Sequence, residues 1–70
     1  MNYKVKAIVE EAYKKVFGVE IFSEAVVIDV LENVDLNEEM RIIEKSSYQT
    51  MGKAIDEAVS KVEHYFKQFA

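Results

Sequence analysis

The sequence predicts an all-α fold: a small helical bundle of two short helices and one long C-terminal helix, with a possible break, assembled as a homo-oligomer. Three observations predict it. Apolar residues recur at three- and four-residue spacing along most of the chain, the mark of helices with one buried stripe. Two glycines and no proline in seventy residues leave few places for the backbone to turn sharply. Half of the residues are apolar, yet a chain this short hides only about 60% of the surface its unfolded form exposes. Apolar surface beyond that fraction calls for company, because large exposed patches are rare on monomers.

The first helix is predicted over Tyr3–Phe17. Val5, Ile8, Val9, Ala12, Tyr13, Val16 and Phe17 form one stripe, and Glu10–Lys14 and Glu11–Lys15 are supportive pairs on the wet side. Gly18 then supplies a helix stop.

Residues 25–31 are rich in β-branched side chains, which favours a strand. On a helical wheel, however, Val26, Val30, Val34, Val27, Leu31 and Ile28 fill one arc, while Asp29, Glu32 and Asn33 fill the rest. A strand would mix Asp29 and Asn33 with Val27 and Leu31 on one face. Ser23 stands at the N-cap position, with Glu24 near the positive helix end. Helix is the preferred reading.

Asp35-Leu36-Asn37-Glu38 matches a capped N-terminus, and from Leu36 to Phe69 apolar residues step by three or four. An unbroken helix over 35–69 would be about 50 Å long. The centre of its stripe drifts by about 60° between the halves at 100° per residue, so a curve or break is expected, at Ser46-Ser47 or at Gly52.

The alternative is an α+β order of helix, β-hairpin and helix, pairing 26–32 with 40–45. Residues 50–59 look like the closing helix of curli-secretion-type α/β domains, a resemblance that covers ten residues of ordinary helix sequence and implies the hairpin arrangement. Either way the chain reads as a single domain over 1–70, without repeats or a linker.

Chemistry is sparse. There is no cysteine, hence no disulfide framework or thiolate metal site. The single histidine, His64, has Lys61 where a di-iron bundle would carry a glutamate, and it reads as a solvated side chain. No glycine-rich phosphate loop or nucleophile elbow is present. The expectation is a non-enzyme without cofactor or metal. One arginine and a net charge of −4 argue against nucleic acid as a partner. The charged N-terminal stretch and short apolar runs argue against a membrane, and a cytoplasmic location is expected.

The charge is concentrated. Over residues 20–44, eight acidic side chains oppose Arg41 alone, a net of −7, and such a block steers basic partners. The partner surface is expected on Glu32, Glu38 and Glu39 together with an aromatic group near the C-terminus, Tyr48, Val59, Tyr65, Phe66 and Phe69. The functional expectation is an acidic protein–protein interaction module, a regulator, inhibitor or adaptor. It would work as a homo-oligomer, a dimer or larger, and bind a protein with a basic surface. The alternatives are a self-assembling structural subunit and, with the hairpin, a small ligand-binding α+β domain.

Overall fold

A computed structural model describes residues 3–20, 23–45 and 48–70, with 48–50 described through their backbone alone. It contains four helices: α1 (Tyr3–Phe17), α2 (Glu24–Asn33), α3 (Asn37–Lys45) and α4 (Tyr48–Lys67). Among the described residues there is no strand, so the hairpin alternative, and with it the implication of the α/β resemblance, is set aside.

α1 begins and ends where its stripe predicts, burying Val5, Ile8, Val9 and Ala12. Gly18 closes it with φ +74°, donating its N–H to the Lys14 carbonyl at 2.8 Å. That left-handed backbone suits glycine because a Cβ there would crowd the neighbouring carbonyl.

α2 forms despite its β-branched composition. The Ser23 hydroxyl accepts the Ala25 amide at 3.2 Å, and Glu24 occupies the first turn. Val27 and Val30, three residues apart, are both fully buried. Tertiary burial of that stripe outweighs the small propensity cost of valine in a helix. Val34 adopts extended backbone and ends the helix.

The predicted cap at Asp35 is present: its carboxylate accepts the Asn37 amide at 3.0 Å. Glu38 does not complete a capping box. Its carboxylate accepts both Nη2 and Nε of Arg41, at 2.6 and 3.3 Å.

The unbroken reading of 35–69 is corrected: of the two expected break positions, the interruption falls at the first, since α3 ends at Lys45 and α4 starts at Tyr48, and the two pack against each other as a hairpin. The Lys61 Nζ lies 2.8 Å from the Glu39 carboxylate, whereas a continuous helix would hold those residues about 33 Å apart. Folding back buries both halves of a stripe that one straight helix would leave largely uncovered. The positions Ser46-Ser47 lie outside the described residues. Gly52 lies inside α4, which runs through it.

Contacts between the helices fix their directions. Lys15 pairs with Glu63, and Tyr13 and Phe17 meet Phe66, while nearer the other end Ile8 and Ile55 line one hollow. Contact positions therefore rise together along α1 and α4, and the two helices run parallel. Asp29 meets Tyr65, and Asp35 and Glu39 meet Lys61, so α2 and α3 run back in the opposite sense. The result is an up–down–up arrangement whose middle arm is split into α2 and α3. Its longest dimension, 33 Å, matches α4 at 1.5 Å per residue.

One core unites the elements: Val9 and Ala12 of α1, Val27 and Val30 of α2, Ile43 of α3, and Ala58, Val62 and Phe66 of α4. Ala12 and Ala58 are both fully buried, and their small side chains let the paired helices approach closely.

Candidate docking surface

The roll of α2 about its own axis is fixed from two sides. Val27 and Val30 anchor it in the core. On one flank the Tyr65 hydroxyl donates to Asp29 Oδ2 at 2.8 Å, and the Asn33 amide donates to the Asp29 carbonyl and carboxylate at 2.8 and 3.2 Å. The hydrogen bond to Asp29, then burial, then the negative charges of Asp29 and Glu32, hold the Tyr65 phenol above its ordinary pKa.

Geometry dictates what the opposite flank must carry. With Val27 and Val30 inward, the 100° step turns Glu24, Ile28, Leu31 and Glu32 outward as one stripe. Ile28 is 54% exposed and Leu31 50%. Glu24 and Glu32, both exposed, stand at either end of that apolar pair. Leu31 also lines an open hollow at the α2–α3 corner with Val34, Leu36 and Met40, beside Glu32 and Asn37. This is an apolar strip bracketed by carboxylates.

The residues expected to meet a partner are scattered by the fold. Val59 and Phe66, 3% and 4% exposed, belong to the core; the aromatic surface expected there is corrected, because Phe66 turns inward to meet Tyr13 and Phe17 at ring distances of 5.6 and 5.7 Å. Tyr65 is half-buried and tied to Asp29. Among the described side chains of that group Phe69 alone is largely exposed, its ring standing edge-on to Tyr65 at 5.2 Å. The Tyr48 side chain lies outside the described residues.

The acids divide as well. Glu32 is on the α2 stripe. Glu38 is exposed, and its hydrogen bonds to Arg41 hold its carboxyl below the usual range. Glu39 is 5% exposed, which corrects its placement on a partner surface. Lys61 reaches it at 2.8 Å and also donates to the Asp35 carbonyl at 3.3 Å, so Glu39 ties α3 to α4. That contact, led by its hydrogen bond, raises the Lys61 pKa.

Ile28, Leu31 and Glu24 were not among the expected contact residues. The signal for them is the width of the α2 apolar arc. From Val26 round to Ile28 it spans about 200° at 100° per residue, far more than the roughly 100° a core-facing stripe needs. The excess had to face outward.

His64 is exposed beside a shallow groove lined by Asn33, Asp35, Lys61 and Tyr65. Among the described residues no cluster of three or more metal-ligating side chains occurs, and no helix is long and apolar enough to cross a membrane. Comparison with protein-family models, curated proteins and solved structures finds no match to the chain.

The Tyr65–Asp29 tether has a pH signature. A phenol whose folded pKa is raised contributes stability that is fully present below its unfolded value and fades as pH climbs through the folded one. Tyr65→Phe is therefore expected to melt below the native chain at neutral pH. The gap should narrow above pH 10, the ordinary value for tyrosine. Thermal melts of both chains from pH 7 to 11 check it; a gap that stays constant would show that the hydroxyl does not couple to folding.

Proposed function

We propose that this chain is an acidic protein–protein interaction module that docks a basic, amphipathic helical surface on the outer face of α2. It acts by occupying or bridging such surfaces, as a regulator, inhibitor or adaptor, rather than by catalysis. One observation carries the reading: Ile28 and Leu31 are half exposed on a firmly anchored helix, with Glu24 and Glu32 on either side. Apolar area supplies the affinity of such a contact, and the flanking charges set orientation and exclude acidic competitors.

The test is an NMR titration of the isotopically labelled chain with a synthetic lysine–leucine amphipathic helix. The expected shifts concentrate on α2 from Glu24 to Glu32, weaken with added salt, and disappear in the double variant Ile28→Asp/Leu31→Asp. Both substituted residues are solvent-facing, so helix content should be retained, which circular dichroism verifies. Shifts spread evenly over α3 and α4, or unchanged binding by the double variant, would overturn the assignment.

A further inference from the structure

The outer strip of α2 runs into the hollow at the α2–α3 corner, because Leu31 and Glu32 belong to both. The hollow holds about 340 Å³. That is the small end of the roughly 300–1,000 Å³ typical of ligand clefts, so it admits a side chain and not a helix. Its floor is apolar and anchored. Leu36 is buried, and Val34 and Met40 pack against the core.

The rim carries one sign of charge. Glu32 and Asp35 are exposed there, and among the described residues no basic side chain lines the hollow. Arg41 of α3 and Lys61 of α4 are held by Glu38 and Glu39, at 2.6 and 2.8 Å. The last turn of α2 adds to the negative character. Its final carbonyls have no partners within the helix, its dipole is negative at that end, and no basic residue stands in that turn.

An apolar floor under an acidic rim suits a cation on a long aliphatic stem. A short amine would leave the floor wet, and a leucine would leave the carboxylates unpaired. Guanidinium fits better than ammonium, because it is more weakly hydrated and its fork pairs with carboxylates through two hydrogen bonds. We infer that the hollow seats an arginine side chain of the protein that docks on α2, its stem on Leu31, Val34, Leu36 and Met40 and its guanidinium at Glu32 and Asp35. This rests on the reading of α2 as a docking face and sets the partner's register. The helix that covers Ile28 and Leu31 carries the arginine in the turn that reaches the corner.

Two synthetic peptides test the seat. Each is an amphipathic leucine–lysine helix with its lysines confined to the middle turns. One carries arginine in both terminal turns, and the other carries citrulline, the uncharged isostere, in the same places. By NMR titration the arginine peptide is expected to bind the native chain about 10-fold more tightly, with shifts that extend from α2 through the corner to Met40. In Glu32→Gln/Asp35→Asn the preference is expected to vanish. Asparagine at 35 keeps an oxygen for the Asn37 amide, so the start of α3 is retained. Asp56→Asn/Glu57→Gln removes the same charge from the exposed side of α4 and should leave the preference intact. Equal binding of the two peptides by the native chain, a preference that survives Glu32→Gln/Asp35→Asn, or one lost equally in the α4 variant would overturn the arginine seat. If shifts then still centre on Ile28 and Leu31, the docking face stands without the seat. If neither peptide shifts α2, both fall.

Discussion

Phe66→Ala is expected to leave much of the chain unfolded at room temperature. Phe66 is 4% exposed and its ring meets Tyr13, Phe17 and Tyr65, so it ties the C-terminal end of α1 to that of α4. Truncating a buried phenylalanine removes its transfer free energy and leaves a cavity, a loss of about 3–5 kcal/mol. A domain of this length has only about 3.5–10 kcal/mol in total. Phe69→Ala is the control. Its ring is 66% exposed, and a surface substitution there should change stability by no more than about 0.5 kcal/mol. Chemical denaturation of the two variants separates them. A loss from Phe66→Ala no larger than that from Phe69→Ala would contradict the inward turn of Phe66.

Lys61→Met is expected to produce the second large loss. Glu39 is held in the first turn of α3 with its side chain 6% exposed; Lys61 meets one carboxylate oxygen, and the other, buried, has no hydrogen-bond partner. Methionine keeps the length of the lysine stem and removes its charge, so the carboxylate is left buried without a cation. Only the Glu39 side of the pair is buried, and leaving a buried charge without its partner is more damaging than replacing both by apolar groups. The double variant Lys61→Met/Glu39→Met should therefore recover most of what the single one loses. Chemical denaturation of the native chain and the two variants checks it. A double variant no better than the single would show that Glu39 and Lys61 do not act as a pair.

These expectations mark where the fold is written locally and where it is not. α1 is legible because its stripe, its paired charges and Gly18 all lie within one short stretch. Ser23 and Asp35 announce the starts of α2 and α3 through hydrogen bonds that span only two residues. The valines of α2 look ambiguous by propensity, but the wheel resolves them, since only a helix turns Val27 and Val30 inward together. The hairpin between α3 and α4 is harder to read. The spacing of apolar residues continues across the break, and only the drift of the stripe hints that the chain reverses. Glu39 is illegible for the same reason: an acid in a first turn looks solvated until the reversal brings Lys61, twenty-two positions later, against it. The aromatic group misleads in the opposite direction. Tyr65, Phe66 and Phe69 look alike in sequence, yet the parallel register with α1 buries Phe66, half-buries Tyr65 and leaves Phe69 outside.

The excess width of the α2 arc turns from a puzzle into the basis of the functional proposal. A bundle this small has room for Val27 and Val30 but none for Ile28 and Leu31. On the proposed reading, the acids beside them would disfavour acidic partners. Of the expected partner surface, Glu32 is exposed on α2, whereas Glu39, Val59 and Phe66 are buried.

The α2 outer face is tested most directly by the titration of the labelled chain with the lysine–leucine helix. The predicted result is a set of amide shifts confined to α2, centred on Ile28 and Leu31, and lost when both become aspartate. Shifts centred elsewhere, or binding that survives those two substitutions, would contradict it.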